Sequence, residues 1–134
     1  MLEVSAGAII YTKINDKNHY LVILDNHNNY GFAKGHIEKD ETEIMAAIRE
    51  IKEEVNIDIE LDDNFRYELN YVMPNGVNKK SIYYLGYYEN QKPIRQVEEI
   101  EKILLLPYKE ALDILTFDNM KEVLIKAERY INNE

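Results

Sequence analysis

Between residues 40 and 57, apolar side chains recur at the spacing of an α-helix: Ile44, Ala47, Ile48, Ile51 and Val55. A stripe of that kind needs a sheet or second helix to cover it. The same segment carries Glu50, Glu53 and Glu54, at i, i+3 and i+4. On a helix those positions share a face, and like charges placed so closely weaken the helix unless something neutralises them. A hard divalent cation with oxygen ligands is the natural neutraliser, and Mg²⁺ commonly arrives with a phosphate substrate. One segment therefore demands both a packing partner and a cation.

The rest of the chain fits an α/β protein. Residues 3–14 and 19–25 are apolar and β-branched, and Asn15-Asp16-Lys17-Asn18 between them has turn chemistry, which predicts a hairpin. Asn26-His27-Asn28-Asn29 is a second turn, followed by a short extended piece at 30–33 and a glycine-containing charged loop at 34–40. Asp40 or Thr42 is positioned to cap the helix, and Asp40 with Glu43 has capping-box spacing. Further strands are expected at 65–73, 80–88 and 100–106, then two short helices after Pro107, the second starting near Asp118. No linker, repeat or low-complexity tract divides the chain, so residues 1–134 are read as a single domain. Mixed strands and helices at this length predict an α/β/α sandwich around a central mixed sheet.

The net charge of −9 argues against broad binding to DNA or to an anionic membrane, so any anionic ligand must be received by a metal ion and a few placed cations. Cysteine is absent, which excludes disulfides and thiolate metal sites. No stretch approaches the roughly 20 apolar residues of a membrane span, and residues 1–7 lack the pattern of a secretory signal, so a cytoplasmic location is expected.

Residues 35–57 read Gly35, five residues, Glu41, seven residues, then Arg49-Glu50-Ile51-Lys52-Glu53-Glu54-Val55-Asn56-Ile57. This resembles the Nudix box at every specified position but one, where Asn56 replaces a glycine. Asn is the usual second choice for a left-handed helix terminus, and Asp40, in a loop position often filled by Gly, also tolerates positive φ. Beyond the box, the Lys34-Gly35-His36 approach and the segment Glu68-Leu69-Asn70-Tyr71-Val72 are similar to asymmetric diadenosine tetraphosphate hydrolases, with Ala33 in place of a proline and Tyr30 where Trp is common. The resemblance implies a Nudix-type sandwich and metal-dependent hydrolysis of a phosphoanhydride in a nucleoside polyphosphate, with diadenosine tetraphosphate giving ATP and AMP as the leading case.

Glu50 and Glu54, one helical turn apart, are expected to be the principal metal ligands. Glu53 is a further ligand or takes a proton from water. The resemblance implies that the Gly35 carbonyl adds a ligand. Arg49 is expected to orient a carboxylate, Glu41 or Glu50. Glu99 is the choice for a carboxylate outside the box, with Glu98 and Glu101 close behind. Lys34 and His36 are candidates to meet phosphate. The resemblance places Tyr71 to stack on adenine, with Lys79 or Lys80 reaching the phosphates; Lys80 is selected. The cofactor is expected to be Mg²⁺, with Mn²⁺ as the alternative, and the state a monomer or homodimer. Two alternatives stay open: the same chemistry on damaged nucleoside triphosphates or RNA 5′ ends, and a non-catalytic nucleotide-binding module.

Overall fold

The computed structural model describes residues 2–134. Ten elements follow in order: β1 (Leu2–Ile14), β2 (Lys17–Asp25), β3 (Tyr30–Gly31), β4 (Lys34–His36), α1 (Glu43–Val55), β5 (Glu60–Val72), β6 (Asn78–Tyr87), β7 (Ile100–Pro107), α2 (Tyr108–Ile114) and α3 (Asp118–Ile131). The sheet runs β3-β2-β1-β6-β5, with β4 also pairing β1 and β7 pairing β2. β1 and β6 are parallel and the other pairs antiparallel, so the expected mixed sheet is present.

Alternation along β1 creates two cores. Ala6, Ala8 and Ile10 face α1, where Ala46, Ala47, Ile51 and Val55 pack on them. Ile9 belongs to the opposite core, with Tyr20, Val22, Tyr83 and Leu85, covered by Ala111 of α2 and Val123, Leu124 and Ala127 of α3. A strand buried on both faces reads as a near-continuous apolar run, as residues 4–10 do apart from Ser5. Helices on both sides of the sheet make the α/β/α sandwich.

Several local expectations change. The first hairpin turns on Asn15 and Asp16 alone, at φ of 53° and 64°, and β2 begins at Lys17. Two consecutive left-handed residues suit the right-handed twist of flanking strands, so a longer turn is unnecessary. Part of the expected 34–40 loop is strand, because residues 34–36 pair with β1. β5 starts five residues early, at Glu60, and accommodates an irregularity between Asp62 and Arg66. Thr42, not Asp40, caps α1, its side chain accepting from the Met45 amide at 3.1 Å. Asp40 instead takes φ of 69° in the preceding turn. Ile48 is 41% exposed, whereas Glu54 is only 5% exposed. The face of α1 turned to the protein is thus rotated from the predicted stripe, and a carboxylate occupies an inward position.

Candidate active site

The geometry begins at β4, where consecutive residues alternate between the two faces of the sheet. Gly35 pairs with Ala6 and faces α1. A Cβ there would lie 2.0 Å from the Glu50 carboxyl carbon, so only glycine lets this backbone meet the helix. Lys34 pairs with Gly7 on the other face. A Cβ on Gly7 would lie 2.0 Å from the Ala33 carbonyl oxygen and 2.6 Å from the Lys34 Cβ. Both glycines make room for functional neighbours.

Arg49 organises the acidic ridge. Its Nε and Nη2 donate to the two oxygens of Glu41 at 2.6 and 2.9 Å. Nη1 donates to Glu50 at 2.9 Å and to Glu53 at 3.1 Å, while Nη2 also reaches the His36 carbonyl at 3.0 Å. Both expected carboxylate partners of Arg49 are therefore engaged. Its hydrogen bonds hold Glu41 below the ordinary carboxylate range, helped by the Glu38 amide. The bidentate geometry is one that lysine cannot reproduce.

Glu54 is treated differently. Burial, followed by the neighbouring Glu50 and Glu99 carboxylates, pushes its pKa up to about 8, against a lowering by Lys34. Its Oε2 is buried without a hydrogen-bond partner among the described residues. Glu50 is also raised, by burial first, with Arg49 opposing and Glu53 and Glu99 adding. Glu99 acts on both groups, while Glu98 and Glu101 are not among their principal influences. Glu53 lies further out, with its side chain 52% exposed. Glu53 and Glu99 both act on Glu50 and Glu54 and are both exposed, so Glu54 is the buried member of this acidic group.

An orphaned buried carboxylate oxygen among like charges fits a hard cation. No three acidic or imidazole groups already form a metal cage among the described residues. Arg49 holds Glu50 and Glu53 by hydrogen bonds from the same nitrogen, Nη1.

A cavity of about 600 Å³, within the size range of small-molecule sites, is lined in part by Lys34. Lys34, Tyr71, Lys79 and Ser81 line one wall, with Tyr30 and Phe117 elsewhere on its surface. Lys34 thus borders the cavity while its charge is felt by Glu54.

Two of the residues expected to meet phosphate are not among the lining of this cavity. Lys80 is one strand position out of phase with Lys79: its Nζ is 3.7 Å from Glu68, and it stands outside the cavity wall. Period-two alternation makes Lys79 the inward lysine. The His36 imidazole is 67% exposed, 3.6 Å from Glu3, and also outside the wall; His36 contributes its carbonyl to Arg49 instead. His27, Ser81 and Phe117 carry no motif that marks them as ligand contacts, yet all three line the cavity. The alternation 79, 81, 83 on β6 is the signal that identifies Ser81.

The NUDIX domain family matches residues 1–127. The asymmetrical bis(5′-nucleosyl)-tetraphosphatase of Sus scrofa is 32% identical over 102 residues, covering 73% of this chain and 69% of that protein. The m7GpppN-mRNA hydrolase of Saccharomyces cerevisiae is 36% identical over 105 residues, 75% of this chain but 10% of that protein. The solved binary complex of a C. elegans Ap4A hydrolase superposes with a TM-score of 0.91 at 25% identity, covering 98% of this chain and 99% of that one.

Proposed function

This chain belongs to the Nudix hydrolase family, and on that premise we propose that it cleaves a dinucleoside polyphosphate, diadenosine tetraphosphate first, into ATP and AMP. The observation that carries the reading is the acidic ridge with its unpartnered Glu54 oxygen, next to Lys34, whose charge acts on Glu54 and which also lines a cavity of about 600 Å³. The relatives of Sus scrofa and C. elegans supply the choice of substrate.

Glu50, Glu54 and Glu99, with the Gly35 carbonyl, would hold Mg²⁺ or Mn²⁺, which supplies positive charge to phosphate oxygens and eases deprotonation of the attacking water. The chain's own groups do the rest. Tyr71 and Phe117 offer aromatic faces to a base, and Lys34 and Lys79 meet the phosphates. Water attacks the fourth phosphorus counted from the first adenosine; its oxygen forms the new P–O bond, and the bridging oxygen leaves with ATP. Glu53, outermost of the ridge and held by Arg49, is available to take the water's proton. Arg49 fixes the orientation of Glu50 and Glu53 against Glu41.

A ³¹P product profile on a nucleotide panel with Mg²⁺ or Mn²⁺ tests this. ATP and AMP from diadenosine tetraphosphate, lost in Glu54→Gln, is the expected result. The yeast mRNA hydrolase likeness favours a second reading, cleavage at RNA 5′ ends or of nucleoside triphosphates. That reading replaces the first if the tetraphosphate is cleaved no better than those substrates.

A further inference from the structure

Ser81 lies on β6 between two groups of the cavity wall and is itself only 2% exposed. The Lys34 Nζ donates to its Oγ at 3.3 Å. On the other side the Tyr71 hydroxyl lies 3.3 Å from the same Oγ. A serine hydroxyl has one donor and two acceptor positions, so it can receive the lysine and still bond the phenol. Register places the three groups together: Leu69 faces Ser81 and Tyr71 faces Lys79 across β5 and β6, while Ser5 faces Ser81 across β1 and β6. Gly7 leaves the space through which Lys34 approaches.

We propose that Ser81 is a positioning residue, a buried hydroxyl that fixes the phosphate-facing Lys34 and the base-facing Tyr71 at one spacing and so selects ligands carrying a base and a phosphate at matching separation. The inference rests on the nucleotide reading above, and it concerns binding rather than cleavage. Without the hydroxyl, Lys34 and Tyr71 keep only their direct interaction with each other and lose the buried anchor that ties both to the sheet, so the pair must be ordered when a ligand arrives. Preorganisation of that kind shows as affinity. The same contact acts on the phenol. Burial pushes the Tyr71 pKa up, but the Ser81 hydrogen bond, the charge and hydrogen bond of Lys34 and the charge of Lys79 outweigh it and hold the group below the ordinary tyrosine value.

The test uses AMP, which has a base and one phosphate but no anhydride to cleave. Its Kd is measured by NMR titration for wild type, Ser81→Ala, Lys34→Met and the double variant, with a thermal melt of each. Ser81→Ala should fold as wild type and weaken AMP about tenfold, the loss of one hydrogen bond to a charged group. In the Lys34→Met background the same change should cost less than about twofold, because the two residues act as a unit. The Tyr71 phenol, followed by its ¹³Cζ resonance and assigned with Tyr71→Phe, should titrate at higher pH in Ser81→Ala. An unchanged AMP affinity, full additivity with Lys34→Met, or an unmoved phenol overturns the proposal, as does a wild-type protein that does not bind AMP. Binding that shows this Ser81 dependence in a protein that cleaves no nucleotide would overturn the hydrolytic assignment alone.

Discussion

Glu54 concentrates the electrostatic cost of the site in one side chain. Its carboxyl titrates near 4.5 when unperturbed and at about 8 in the fold. Across that window the folded protein binds a proton that the unfolded chain releases. Stability of the metal-free protein therefore falls as pH rises from about 4.5 through about 8, by about 5 kcal/mol at most. Urea titrations in EDTA at pH 5, 7 and 9 should show that decline, and Glu54→Gln should flatten it while raising stability at pH 9. Mg²⁺ should restore stability most at high pH, where the carboxylate is charged, and should do little for the Gln variant. A decline of equal size in Glu54→Gln would assign the pH dependence to other groups. Sequence spacing was enough to single out Glu50, Glu53 and Glu54, because helical periodicity fixes which residues are neighbours. It does not distinguish an exposed neighbour from a buried one, which is why the contrast between Glu53 and Glu54 emerges only from the packing of α1.

At the level of the element, α1 is bounded by two residues whose backbone roles differ. Thr42 supplies an acceptor to the Met45 amide, and Asn56 ends the helix at φ 59°, ψ 39°, its own amide donating to the Lys52 carbonyl. Thr42→Ala should cost about 1 kcal/mol, the ordinary value of an N-cap. Asn56→Ala should cost about 1–2 kcal/mol because a Cβ without a polar side chain disfavours the left-handed region, while Asn56→Gly should be close to neutral. Thermal melts of the three variants check the order. A neutral Asn56→Ala would mean that the terminus relaxes out of the left-handed conformation. The left-handed end at Asn56 was legible because such caps depend on local chemistry, whereas the start was legible only to within Asp40 or Thr42, both of which carry side chains able to cap. The rotation of its apolar face was less so: Ile44, Ala47, Ile48, Ile51 and Val55 match a helical stripe, but the sheet leaves Ile48 in solvent and takes Ala46 and Glu54 inward. Periodicity gives a face to within one neighbouring position, and the partner's shape decides the remainder.

Over the whole molecule, a net charge of −9 makes long-range attraction of a polyphosphate unfavourable, so anion binding depends on where individual cations stand. The sheet decides that placement. It directs Lys79 to the cavity and Lys80 to the opposite face, although the two are adjacent in sequence and equal in charge. Strand existence was readable from apolar runs, but the face taken by each lysine depended on the register of β5 against β6, a long-range pairing that composition does not specify. Lys79→Met and Lys80→Met each remove one positive charge from the same total. If overall charge governed recognition, both would weaken nucleotide binding alike. With local reception, Lys79→Met should raise KM about tenfold, the value of one charge-assisted contact, with kcat little changed. Lys80→Met should stay within about twofold of wild type, since its partner Glu68 retains a bond from Arg66 at 3.2 Å. Steady-state kinetics at constant ionic strength separate the cases. Equal KM increases for the two variants would show that the field of the whole protein, rather than the register of one strand pair, delivers the phosphate to its site.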